Sequence, residues 1–196
     1  VTWYSLKKIN RKEDPREDVP KASLLTAAFF VASLIHIPIP PASIHFILNG
    51  LLGVVLGYYA VPSILIGLFF QAVMFQHGGL TTLGVNTVIM GVPALIAFYV
   101  FSLRKLSGRD SRFVTGLLAF IGGALGVSLG ALAAYIITIS FIPSHLDVEA
   151  EKASIYLLAL SHIPLMIIEG IFTAMVVLFL QKVKPALLEG KNDSTD

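Results

Sequence analysis

Residues 51–75 read LLGVVLGYYAVPSILIGLFFQAVMF, without one Asp, Glu, Lys or Arg. They lie inside a longer run, 22–103, in which 82 consecutive positions lack those residues. A second run, 113–146, adds 34 more, and after Lys152 the next charge is Glu169. A spanning helix needs ~20 mostly apolar residues, so the first run alone has room for several crossings. The whole chain of 196 residues agrees, with 56% hydrophobic and 13% charged residues, against about 25% charged in globular proteins. Disorder, nucleic-acid binding and a soluble enzyme fold are excluded at this level. The sequence reads as an all-α, polytopic integral membrane helical bundle forming one transmembrane domain over 1–196.

Outward from that stretch, Pro, Gly and polar clusters cut the chain into segments. Six full spans are expected at 22–37, 43–59, 62–75, 82–103, 113–141 and 153–181. The first stops where HIPIPP (36–41) sets three prolines in four positions, which forbids continued helix. Residues 1–6, VTWYSL, run straight into Lys7 and Lys8 and read as the end of a truncated first helix whose earlier turns lie upstream. No cleavable signal peptide is visible, because the basic pair follows the short apolar stretch instead of preceding it. The segment 76–86, QHGGLTTLGVN, carries the glycines of irregular backbone, which at membrane depth must line protein or a water-filled cavity.

Basic residues give the orientation. Loop 7–21 holds Lys7, Lys8, Arg11, Lys12, Arg16 and Lys21; loop 104–112 holds Arg104, Lys105, Arg109 and Arg112; the C-terminal side holds Lys182 and Lys184. The alternate loops are 38–42, 76–81 and 143–152. The first two are uncharged, and the third sets Asp147, Glu149 and Glu151 against Lys152. All basic clusters therefore fall on one side, expected to be cytoplasmic together with the C-terminus. All five histidines, His36, His45, His77, His145 and His162, then fall in the outer half.

Imidazole suits Ni, Co, Zn and Cu, and histidines gathered across loops make a nitrogen-rich site. His36 and His45 flank a proline-stiffened turn able to bring one back toward the other, and His77 approaches from the glycine-rich loop. Each has a blander reading, an interfacial histidine bonded to backbone or water. In a helix starting near Ser43, His45 and Asn49 share a face at i, i+4. His145, beside three acidic residues, reads as a solvated loop residue. Glu169 is the lone charge between 153 and 181, and an intramembrane carboxylate is by default a functional hypothesis. Two readings of it stand: a polar path or second shell beneath a metal site, with His162 two turns earlier on the same face, or a protonated glutamate bonded to a neighbouring helix or subunit. Asn49, Gln71 and Asn86 read alternatively as interhelical glue. Gly122, Gly126 and Gly130, like Gly53 and Gly57, recur every four residues, a spacing that lets helices approach closely within the bundle or toward another subunit.

Absences narrow the function. There is no phosphate loop to drive transport with ATP, no His-Glu-x-x-His, no Ser–His or paired-carboxylate arrangement, and no evident inverted repeat. Cysteine is absent, which removes disulfides and thiolate metal sites. What stands is a substrate-capture subunit that borrows its energy.

Three motifs in order, HIPIPPASIHFILNG (36–50), QHGGLTTLGVNT (76–87) and SHIPLMIIEG (161–170) running on to Val183-Lys-Pro185, resemble the CbiM/NikM family of substrate-specific components of energy-coupling factor cobalt and nickel transporters. The likeness covers nearly the whole chain. It implies a non-enzymatic importer subunit in the cell membrane that carries Co²⁺ or Ni²⁺ as transported ion, with no permanently bound cofactor. It further implies a membrane coupling component, cytoplasmic ATPases and a small extra membrane subunit as partners, within the lipid bilayer and without nucleic acid. In that family an N-terminal Met-His supplies its amine, a backbone nitrogen and an imidazole, and one more imidazole completes a roughly square-planar set. By motif position that histidine is His45; residues 78–86 pack against the site, with Asn86 the most distinctive polar residue. This chain begins at Val1 without the Met-His. The expected site is thus His45, His36 and His77 as metal ligands, with Asn49, Asn86, His162 and Glu169 behind them. Neutral imidazole is required, so binding weakens below pH ~6.5. The other classes are a carrier component for an organic micronutrient and a structural membrane subunit without a ligand.

Overall fold

The computed structural model describes residues 1–39, 42–76, 78–106, 111–143 and 147–188, with the side chains of 36–39 and 42–44 also outside the description. In chain order the elements are α1 (Thr2–Ile9), α2 (Val19–Ala32), β1 (His36–Ile39), β2 (Ala42–His45), α3 (Asn49–Leu56), α4 (Ala60–Phe75), α5 (Leu83–Ser102), α6 (Arg112–Ser140) and α7 (Val148–Val183). Short 3-10 turns follow α3, α5 and α7. Among the described residues, four helical runs are long and apolar enough to cross a membrane: Asn49–Phe75, Leu83–Leu106, Arg112–Ser140 and Val148–Val183. The protein is a multi-pass helical membrane bundle.

Several bounds differ from the sequence reading. The segment expected as a span over 22–37 yields a 14-residue helix ending at Ala32, because the backbone then turns into β1. Within the segment expected at 43–59, residues up to His45 pair as β2, and helix begins only at Asn49. Prolines explain both: without an N–H, and with φ fixed, they suit a ribbon edge or turn but break helix. The ribbon is antiparallel and places His36 and His45 as Cα partners, with Pro38 opposite Ser43. The expected i, i+4 helical relation of His45 to Asn49 is therefore not formed. Leu48 separates them at φ 51, outside helical geometry.

Short α3 is the hub. Its eight residues are all buried, and it contacts α2, α4, α5, α6 and α7. At 1.5 Å per residue it is about 12 Å long and cannot cross a ~30 Å hydrocarbon core alone. At Gly57 the backbone takes φ 58 and ψ −124, a conformation open to glycine, and the chain continues into α4. The apolar window of Asn49–Phe75 is 78% buried, against 33%, 33% and 28% in the other three runs, so this run forms the centre and the others the lipid-facing wall. Glycines let α6 reach the hub: a Cβ on Gly50 would lie 2.7 Å from the Gly122 carbonyl oxygen, and one on Gly126 would lie 2.5 Å from Gly50 Cα.

The basic segments gather at one end. Lys12 and Lys21 pair with Asp18 at 2.7 and 2.9 Å, and Tyr59 donates to the Pro15 carbonyl at 2.6 Å. Lys21 donates to the Leu187 carbonyl at 3.1 Å and Arg104 to that of Leu188 at 2.6 Å. Loop 7–21, the turn before α4, the end of α5 and the end of α7 thus share one face of the bundle.

Candidate metal-capture site

At the other end of α4 a cavity of about 280 Å³ opens between α2, β2, the start of α3, α4, α5, α6 and α7. Its walls are mostly apolar, from Phe29, Phe46, Leu68, Ile89, Met90 and Leu158 among others, and a few polar groups converge on it. His45, Asn49, Asn86 and His162 all line it. These four, expected from the sequence, come from the end of β2, the start of α3, the start of α5 and the upper part of α7. Gly78, from the glycine-rich segment, lines it too. His77 and His145 lie outside the described residues. His36 is placed by its backbone only, opposite His45.

The two imidazoles are held alike. His45 Nδ1 lies 3.0 Å from the Phe46 carbonyl oxygen, and His162 Nδ1 lies 2.8 Å from that of Leu158. A carbonyl only accepts, so in each ring Nδ1 is the donor of this bond. Metal-binding imidazoles are commonly anchored in this way, one ring nitrogen on a backbone carbonyl while the other meets the ion. Among the described residues no group of three or more His, Cys, Asp or Glu clusters as a metal cage.

Asn49, 0% exposed, ties the site to the bundle. Its Nδ2 donates to the Gly126 carbonyl at 2.9 Å and to that of Met90 at 3.3 Å, while its Oδ1 accepts from the Gly50 N–H at 2.8 Å. Asn86 instead closes its own segment, donating to the Gly78 carbonyl and to Thr82 Oγ1, both at 3.3 Å; Thr82 Oγ1 donates to the same carbonyl.

Glu169 does not line the cavity. Fully buried on α7, its carboxylate accepts from the backbone N–H of Ile47 and, at 2.9 Å, from that of Leu48. These amides precede the first turn of α3, where backbone donors lack intrahelical partners and a negative charge is favoured. The contact seen is to the backbone between β2 and α3, directly after His45.

Sequence reasoning gave Gln71 only a packing role and did not single out Ser33, Tyr135 or Thr138, yet all four line the cavity. Gln71 is 3% exposed, and its Nε2 has no hydrogen-bond partner among the described residues. A glutamine in an otherwise apolar span was the available signal; the helical period of α6 carries none for Tyr135 and Thr138.

Comparison with known proteins bears on this geometry. Residues 1–187 match the family described as CbiM, cobalt uptake substrate-specific transmembrane region. A putative metal transport protein of Haemophilus influenzae is 37% identical over 175 residues, covering 88% of this chain and 81% of that protein. The cobalt transport protein CbiM of Clostridium tetani is 31% identical over 186 residues, covering 90% and 73%. A putative fused nickel transport protein, NikMN, of Archaeoglobus fulgidus is 32% identical, covering 86% of this chain and 55% of that protein. A crystal structure of a truncated transition metal transporter superposes with a TM-score of 0.71 at 27% identity, covering 92% and 88%.

Proposed function

Because the chain belongs to the CbiM family of cobalt-uptake substrate-specific transmembrane proteins, we propose that it captures Co²⁺ or Ni²⁺ at its cavity through imidazole nitrogen and passes the ion inward. It is a transport protein, not an enzyme. The observation that carries the reading is His45 on the cavity wall with Nδ1 bonded to the Phe46 carbonyl, the kind of anchoring a metal-ligating imidazole receives at its other ring nitrogen. His36, opposite it in the ribbon register, and His77, next to cavity-lining Gly78, are the further ligands of the proposal. Asn49, Asn86 and His162 shape the cavity behind them.

The chain carries no nucleotide-binding motif, so its energy comes from partners: a membrane coupling component, cytoplasmic ATPases and a small additional membrane subunit. The gathered basic segments at the end remote from the cavity support an orientation with that end, and the C-terminus, in the cytoplasm. The cavity then faces outward, where the ion is first met. A second reading, an organic micronutrient as cargo, draws on the largely apolar walls, which suit a small molecule held by a few polar groups.

Calorimetric titration of the purified chain in lipid nanodiscs with Ni²⁺ and Co²⁺ tests the proposal. Saturable binding is expected, abolished by His45→Ala with the thermal unfolding midpoint retained. Full-strength metal binding by that variant, or none by the unmodified chain, overturns it.

A further inference from the structure

Helix α7 bears on the site at two levels, once at the cavity wall and once behind it. His162 lies on the cavity wall; Glu169, seven residues on and two turns along the same face, holds the N–H groups of Ile47 and Leu48. Those amides follow His45 by two and three positions. The peptide between β2 and α3 packs its side chains on the core, Phe46 and Ile47 against Val127 and Leu165, with Leu48 buried. It carries the αL residue Leu48 at φ 51, and no side chain caps α3 from within its own segment. The side chain that reaches into it comes from 121 residues away.

We infer that Glu169 is a positioning residue for metal capture: its carboxylate fixes the path of residues 46–48, and with it the place of His45, so that α7 and the metal ligand move as one unit. The inference rests on the metal-capture reading above and adds how the site is held. Three features carry it. The carboxylate is fully buried, and an intramembrane charge without a role is costly. Both oxygens are engaged, one on each of two consecutive amides, so the peptide is gripped in orientation as well as position. Its neighbours also leave little slack: a Cβ on Gly123 of α6 would lie 2.8 Å from the Glu169 carbonyl oxygen, so α6 seats this turn of α7 closely. A tilt of α7 relative to α3 would then shift His162 on one wall and draw the His45 peptide on another, loosening both imidazoles at once. That gives a partner acting on α7 a direct means of releasing the ion.

Glu169→Gln is the test, since it keeps size and one acceptor but replaces the second oxygen with an N–H₂ that cannot accept. Two measurements are made on the full chain in nanodiscs. Amide hydrogen exchange at residues 46–50 without metal reads the tether; Ni²⁺ titration, with the visible spectrum of bound Co²⁺, reads the site. Exchange is expected to rise at 46–50 and not in α5, Ni²⁺ affinity to fall by about 10–100-fold as for other groups that orient a ligand, and the Co²⁺ bands to shift. Glu169→Asp, which keeps both oxygens one methylene shorter, is expected to fall between the two. Unchanged exchange shows that the tether does not exist. Raised exchange with unchanged affinity and spectrum shows that it does not position the ligand. If exchange rises but even the unmodified chain binds neither ion, the metal-capture reading falls, and the positioning role falls with it.

Discussion

Asn49 donates from Nδ2 to the carbonyl of Gly126, 2.9 Å away and 77 residues along the chain, and this bond locks α3 against α6 where both lack side-chain bulk. The close approach and the hydrogen bond depend on each other. Gly126→Ala would set a Cβ 2.5 Å from Gly50 Cα and 2.7 Å from Asn49 Oδ1, overpacking that costs about 1–3 kcal/mol. Asn49→Leu would strip the donor from two carbonyls and the acceptor from the Gly50 N–H, a loss of about 1–3 kcal/mol. Thermal unfolding in detergent is expected to show both variants destabilised. The double variant should lose less than the sum, because the two changes act on one contact.

Asp18 gives a pH prediction at the basic end. Burial alone would raise its carboxyl, but hydrogen bonds and charges from Lys12 and Lys21 outweigh that and hold it below the ordinary carboxylate range. A depressed folded-state pKa contributes stability above the unfolded value, and that stability is lost as pH falls through the folded one. The unmodified chain should therefore lose thermal stability on acidification below about pH 4 more steeply than Asp18→Asn. Parallel curves for the two would show that the Lys12–Asp18–Lys21 cluster does not act on stability.

The helical bundle was legible because the charge-free runs leave few alternatives, and a break near HIPIPP because its prolines cannot continue a helix, although the helix ends earlier than expected, at Ala32. What followed the break was not legible. Proline explains why a helix stops, but the β-ribbon register that sets His36 opposite His45 depends on pairing that local sequence does not state. Asn49 was readable as polar glue in an apolar span; its particular partners, Met90 and Gly126, arise only when α5 and α6 close on α3. Glu169 stood out as a lone charge, yet its partners are amides 121 and 122 residues away, and backbone N–H groups leave no mark in a sequence.

Orientation is open to a simple experiment, because the chain has no cysteine. Single cysteines placed at Thr82, between cavity-lining Gly78 and Asn86, and at Leu187, bonded through its carbonyl to Lys21, should label from opposite sides in intact cells. Thr82→Cys is expected to react with a membrane-impermeant maleimide added outside, and Leu187→Cys only after the membrane is opened. The reverse pattern would invert the proposed path of the ion.

Gln71 sets stability against function in one side chain. It is buried in the cavity wall with Nε2 unpartnered among the described residues, and an unsatisfied buried donor costs about 1–3 kcal/mol. Gln71→Leu removes that donor while nearly keeping shape, so the metal-free protein is expected to unfold at a higher temperature. If the amide instead serves cargo or its bound water, the same variant should lower metal uptake in cells expressing the whole transporter. A raised midpoint with reduced uptake assigns Gln71 to the transport path, because a change that stabilises the fold gives no structural reason for lost uptake. A lowered midpoint with unchanged uptake would mean that the amide is already satisfied and serves packing alone.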